Sequence, residues 1–223
     1  MGRHPGSPAK RMARAWVHKS LHGGRGGHET LDGVFETNLD IEDHTDRQKN
    51  LFLLLLDYRN IFDFIVQEII WGLAAWWGFP SGILKLLTNF YLKLTSVFKF
   101  NGHFGKPWTR TNSLAQGCSF SMMLVNLPVT AWARAILLRM HTTVASISGY
   151  VDDKVIRSGS FAHLKELLAR TVKFDRLSGQ YLNFDKSMGL CTHKKSEAQL
   201  RGLRIDDRAL LIVRNAKSLG ALV

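Results

Sequence analysis

LFLLLLD, residues 51–57, is the most apolar run in the chain and closes on a carboxylate, Asp57. A run that is apolar at every position, rather than at every second one, suits a strand covered on both faces, the centre of a sheet. Asp57 then stands at the end of a buried strand. Working outward, the next informative stretch is Tyr150-Val151-Asp152-Asp153. Its two acids sit in a tight turn between short apolar strands predicted over Val144–Tyr150 and Val155–Ile156. Adjacent carboxylates are costly unless something positive lies beside them. Taken alone, the pair also fits an ordinary solvated β-turn, where Asp is common. If the Asp57 strand neighbours this hairpin, three carboxylates converge at one edge of one sheet. Such oxygen ligands suit hard divalent cations, Mg2+ above all. Two such ions about 4 Å apart form a site for displacement chemistry at phosphorus.

The surrounding sequence supplies helices and hairpins. Leu31, Val34, Phe35 and Leu39 fall at helical spacing, with Thr30 as N-cap. Phe62, Ile65, Ile69, Leu73 and Trp76 repeat with helical period, and Gly78, Pro80 and Gly82 punctuate the next stretch. Thr95–Phe100 is strand-like and meets Asn101-Gly102, a hairpin signal. Ser121 to about Met140 reads as a long helix containing Pro128, which costs roughly 3 kcal/mol or kinks the helix. His163–Leu177 reads as a helix closed by Ser178-Gly179. Strands and helices alternate, with strands also paired as hairpins. That is an α+β pattern with a mostly antiparallel sheet.

The 223 residues, 45% of them hydrophobic, can bury a core, and the net charge is +12. Charge is uneven. Six Lys/Arg and no acid precede Glu29, and Glu29–Asp46 holds seven acids and no Lys/Arg. The remaining chain carries 24 bases and 11 acids, a net of +13, so the body is itself basic. Such a balance suits a polyanionic partner, nucleic acid or an anionic membrane surface. Residues 64–79 are apolar but include Gln67 and Glu68, and these 16 residues fall short of the roughly 20 that a spanning helix needs. A core helix is expected there, and no membrane role. Cys118 and Cys191 make neither a zinc pattern nor a disulfide framework, so a reducing compartment is expected. Met1 to about Gly27 reads as a basic flexible tail without an apolar leader. An intracellular setting, nucleus or cytoplasm, is the resulting expectation. The Arg-rich, acid-poor start also resembles an organelle transit peptide.

Five strings in order resemble the motifs of reverse transcriptases of the non-LTR retroelement type. LFLLLLDYRNIFD resembles motif A and SLAQGCSFSMMLVNL motif B. GYVDDKVI resembles motif C, LSGQYLNFDKSMGL motif D and AKSLGALV motif E. LHGGRGGHETLDGVF is similar to the segment preceding motif A. The resemblance implies a polymerase palm, an antiparallel sheet packed on helices, with partial fingers and no thumb. On that reading residues 28–223 form a partial reverse transcriptase domain ending at motif E.

The resemblance also implies roles. Asp57, Asp152 and Asp153 would be catalytic and would hold two Mg2+ ions, or Mn2+ in their place. Phe62, five residues after Asp57, would crowd a ribose 2′-hydroxyl; it also reads as an ordinary core aromatic. Gln116 and Gly117 would line the floor beneath the templating pair. Lys186 would protonate the leaving pyrophosphate, or is simply a surface lysine. Leu219 and Gly220 would belong to the primer grip. RNA template, DNA primer and dNTP would be the partners, with no oligomeric state implied. Departures stand at Ile61, Ser119, Met122 and Pro128. Lys154 directly follows the Asp pair, where it could act as a competing internal cation. On the polymerase reading itself, the isolated chain is expected to be weak or inactive. Two other readings remain. One is a decayed retroelement remnant that binds nucleic acid without catalysis. The other is an RNA-binding protein resembling intron maturases.

Overall fold

The apolar run at residues 51–57 is the middle of the main sheet. The computed structural model describes residues 16–23, 25, 27–138, 140, 145–213, 217–218 and 221–222. In chain order, helix α1 (Thr30–Asp46) precedes strand β1 (Phe52–Leu56), and helices α2 (Ile61–Phe64), α3 (Gln67–Trp76) and α4 (Ser81–Lys93) come after it. Two small ribbons come next, built from β2 (Thr95–Ser96), β3 (Lys99–Phe100), β4 (His103–Phe104) and β5 (Trp108–Thr109). Then come α5 (Ser121–Leu137), the hairpin β6 (Ala145–Tyr150) and β7 (Asp153–Ser158), α6 (Phe161–Ser178), β8 (Met188–Cys191) and α7 (Glu197–Arg201). Short strands β9 (Arg204–Ile205), β10 (Arg208–Ala209), β11 (Leu211–Ile212), β12 (Lys217–Ser218) and β13 (Ala221–Leu222) close the chain.

The main sheet has the order β11-β8-β1-β7-β6. Its pairs are antiparallel except β11 with β8, which is parallel. Every residue of β1 is buried, which is why the sequence alternates nowhere along it. Phe52, Leu54 and Leu56 join Ile147 and Ile156 in the large core with α5 and α6, while Leu53 and Leu55 form a second cluster with Leu51, Val155 and Leu190. The expected α+β fold with a mostly antiparallel sheet on helices is therefore found. Helix α5 continues through Pro128, deep in the core, so the proline does not end it. Gly179 closes α6 in the left-handed conformation, φ 69°. Asn101 and Gly102 both have positive φ, as a tight two-residue hairpin requires.

Several expectations shift. Residues 64–79 do not make one helix: the chain breaks at Ile65–Val66, where buried Gln67 turns its side-chain amide to the Ser113 carbonyl, 2.9 Å away. Glu29, not Thr30, is the N-cap of α1, and its amide donates to the Asp32 carboxylate at 2.8 Å. Val34 faces the core, but Leu31, Phe35 and Leu39 are exposed. The expected flexible tail is packed from Trp16 onward among the described residues. Trp16, Val17 and Leu21 are buried, Trp16 stacks on Trp77 at 5.5 Å, and Leu21 pairs in parallel with Gly149 at the sheet edge. A Cβ on Gly149 would come within 2.9 Å of the Leu21 side chain, so glycine is what admits this contact. Apolar anchors spaced through a glycine-rich stretch outweigh its backbone entropy once the sheet edge is there to receive them. No helix among the described residues is long and apolar enough to cross a membrane.

Candidate active site

The register of β1 and β7 sets the geometry. Leu55 lies opposite Val155 and Leu56 opposite Lys154. One step beyond, Asp57 comes level with Asp153. Side chains alternate across a strand. Asp57 and Asp153 therefore continue the face of Leu55 and Val155, while Lys154 takes the opposite face. Asp57 and Asp153 line one cleft of about 310 Å³ with Asp185 and Lys186.

Lys186 comes from the loop before β8, and that loop is tied to Asp57 by the main chain. The Asp57 amide donates to Ser187 Oγ at 3.0 Å, and the Asp57 carbonyl accepts from the Asn183 amide at 2.9 Å. Asp152 sits in the two-residue turn between Tyr150 and Asp153, which face each other across the hairpin. Val151, the first turn residue, has φ 59° and is buried. A β-branched residue there costs on the order of 1–3 kcal/mol and marks strain stored at the tip.

The carboxylates sense one another. Burial, then the charges of Asp152 and Asp57, push the Asp153 carboxyl up to about 6, against a smaller opposing pull from Lys186. Burial also raises Asp152, and the Asp57 charge adds to that. The folded Asp153 thus keeps a proton that the unfolded chain has already lost, so its contribution to stability falls as pH rises from about 4 through about 6. The expected result is that metal-free Asp153→Asn loses less thermal stability than the parent chain between pH 4.5 and 6.5. Parallel melting curves for the two proteins would show no basis for that assignment.

Three oxygen donors crowded beyond what one lysine neutralises fit a divalent cation of the hard type. They are not a closed single-ion cage. Among the described residues, the trio whose ligand atoms all lie within 4.8 Å of one another is His22, His28 and Asp32, and the three aspartates stand wider than that.

The family model for reverse transcriptase (RNA-dependent DNA polymerase) matches residues 9–218. The chain belongs to the reverse transcriptase family. Among solved structures, apo telomerase from Candida tropicalis truncated from its C-terminal domain is similar at TM-score 0.64 and 14% identity, covering 83% of this chain and 40% of that one. Candida tropicalis telomerase in complex with a TWJ fragment of telomeric RNA is similar at TM-score 0.67 and 13% identity, covering 84% and 34%. Candida albicans telomerase with the same kind of RNA fragment gives 0.61 and 13%, covering 81% and 35%. The chain therefore spans between about a third and two-fifths of these structures, which share its fold. No curated protein matches the sequence.

The other expected site residues lie around this cleft or apart from it. Phe62 is half-buried on α2, and its carbonyl accepts from the Leu114 amide at 2.7 Å, tying α2 to the segment that leads to Gln116. Gln116 and Gly117 are exposed in the turn before α5, and Gly117 has φ 89° with nothing within 4 Å of an added Cβ. Lys186 is exposed. Leu219 and Gly220 lie outside the described residues.

Lys154 corrects an expectation. It does not compete for the Asp pair, because strand alternation turns it into the core at 0% exposure. There its Nζ donates to Gln180 Oε1 at 2.9 Å, lies 3.5 Å from Asp175 Oδ1 and sits 3.8 Å from the Tyr58 ring centre. The Tyr58 hydroxyl donates to Asp175 Oδ2 at 2.6 Å. Sequence reasoning missed this network and missed Asp185. The neighbour of Lys186 carried a usable signal in the order Asp185-Lys186; Asp175, within a helical pattern, carried none.

Proposed function

We propose that this chain is the palm-centred part of an RNA-directed DNA polymerase of the non-LTR retroelement type, adding dNTPs to a primer 3′-hydroxyl on an RNA template. The observation that carries the reading is the placement of Asp57 and Asp153 level with each other on one sheet face, with Asp152 in the adjoining turn. Asp57, Asp152 and Asp153 would hold two Mg2+ ions, which when bound lower the pKa of the primer hydroxyl and neutralise the triphosphate and the leaving pyrophosphate. Lys186, an exposed cation at the same cleft, donates a proton to the departing pyrophosphate. Phe62 limits room beside the sugar, which favours deoxynucleotides. The exposed Gln116–Gly117 turn supports the templating pair, and Leu219 with Gly220 contacts the primer end. The test is primer extension by the purified chain on an RNA template with dNTPs and Mg2+. Extension that needs the RNA template and Mg2+ supports the reading; its absence, in a chain that still binds primer–template, favours a non-catalytic nucleic-acid-binding remnant.

The basic body adds a second expected result. Primer–template affinity should fall steeply with salt, because Lys and Arg release phosphate counterions on binding. With about six to ten phosphate contacts, the loss between 50 and 200 mM salt is on the order of 10³ to 10⁵. Affinity that stays flat over that range in a filter or polarisation assay would mean the positive surface is not a phosphate track.

A further inference from the structure

At the other side of the hairpin from α6, a second cluster of ligand-type side chains gathers that the polymerase reading does not use. His22 comes directly after the residue that pairs with Gly149, and His28 precedes α1. Asp32 and Glu36 stand four residues apart on α1 and so share one helix face. His22 Nε2 lies 3.4 Å from Glu36 Oε2, and His28 Nδ1 lies 3.4 Å from Asp32 Oδ2. One ligand atom each from His22, His28 and Asp32 falls within 4.8 Å of the others. The two imidazole rings are 5.6 Å apart, centre to centre.

His22 supplies the independent sign. It is 1% exposed, yet neither of its ring nitrogens has a hydrogen-bond partner among the described residues. A buried imidazole is ordinarily satisfied, and here its Nε2 faces a carboxylate at 3.4 Å. Two nitrogen and two carboxylate donors match the ligand preference of Zn2+, and the two carboxylates balance its charge. Two of the spacings, His22 with Glu36 and His28 with Asp32, fit as well. Zinc–ligand bonds of about 2.0–2.2 Å in a tetrahedron separate neighbouring ligand atoms by roughly 3.4 Å.

We propose that His22, His28, Asp32 and Glu36 form a structural Zn2+ site. The ion joins His22 and His28 to α1. The His22–Gly23 stretch in turn buttresses the hairpin tip. The His22 amide donates to the Gly149 carbonyl at 2.9 Å, and Gly23 lies so close to Val151 that an added Cβ would come within 3.0 Å of it. Asn126 also donates its side-chain amide to the Gly23 carbonyl at 2.7 Å. Zinc at this site would therefore brace the strained turn that carries Asp152.

The experiment is zinc binding by tag-free, chelator-stripped chain in excess Mg2+, which favours oxygen ligands and keeps zinc off the aspartates. One equivalent of Zn2+ should survive gel filtration, and the double variant His28→Ala, Glu36→Gln should lose it. Both residues are partly exposed, so the variant keeps its core. Hydrogen exchange on the parent chain with and without Zn2+ gives a second readout independent of any variant. Protection should rise over residues 20–28 and 149–153. No retained zinc, zinc that persists in the double variant, or protection confined to the regions around Cys118 and Cys191 would each overturn the proposal. None of these outcomes depends on polymerase activity.

Discussion

Asp152→Asn is expected to lower Mg2+-dependent primer extension on the order of 10³-fold while leaving the thermal midpoint unchanged or slightly higher. The two halves of that expectation come from the same crowding. Ligated metal ions supply several kcal/mol of charge stabilisation in a transition state, and about 1.4 kcal/mol corresponds to tenfold in rate. If Asp57, Asp152 and Asp153 hold the ions as proposed, losing one of the three removes a large part of that term. The same carboxylate is a liability to the metal-free fold, since burial and the neighbouring Asp57 charge both raise its pKa. A neutral amide of similar shape removes the repulsion without opening a void. Asp57→Asn should lose activity similarly, because the main chain at Asp57 is held by Ser187 and Asn183 whatever its side chain. Primer extension and thermal unfolding, run on the same preparations, decide the matter. Near-parental extension by Asp152→Asn would remove the carboxylate from the chemistry, and activity lost together with the fold would make its role structural.

Legibility in the sequence depends on which physical signals are local. The central strand was readable because burial on both faces leaves no alternation to hide, and every residue of β1 is indeed buried. The hairpin at Asn101-Gly102 was readable because two successive positive φ values demand that chemistry. The level placement of Asp57 and Asp153 needed the pairing of strands about a hundred residues apart, which no local pattern gives; the ordered motifs supplied it. The orientation of α1 was not readable. Leu31, Phe35 and Leu39 make an apolar stripe, yet it is Val34 that is buried, with Thr37 buried and bonded to Arg157 at 2.7 Å. Arg157 also pairs with Asp40 at 3.1 Å, so polar partners help to fix which face of α1 turns inward. The packed segment from Trp16 was hidden for a related reason. Composition reports backbone entropy, whereas Leu21 is held by a space that glycine leaves on another strand.

Lys154 shows how far a single-residue step across a strand changes a meaning, and it carries the largest expected effect on stability. Lys154→Met should destabilise the chain by about 3–5 kcal/mol, the cost of leaving one member of a buried ion pair alone. The lysine is fully buried, with Asp175 at 3.5 Å, Gln180 at 2.9 Å, and the rings of Tyr58 and Trp132 at 3.8 and 4.9 Å from Nζ. Burial lowers the lysine pKa and raises that of Asp175, while the pair's mutual attraction opposes both shifts. Methionine keeps the volume and removes the charge, so the loss is electrostatic rather than a cavity. Asp175 would then rely on Tyr58 alone, since its Oδ1 has no hydrogen-bond partner among the described residues. Adding Asp175→Asn should recover most of the lost stability, because the neutral amide still accepts from the Tyr58 hydroxyl and no longer needs a cation. Denaturant midpoints for the parent, the two single variants and the double variant give the coupling energy directly. The network also anchors Tyr58, the residue after Asp57, to α6, and Lys154 is the residue after Asp153. Loosening it should therefore lower activity in Lys154→Met through misplaced carboxylates, and the double variant should restore activity and stability together. A cost below about 1 kcal/mol for Lys154→Met would place the amine in water rather than in the core and dissolve this link between the core and the acidic cleft.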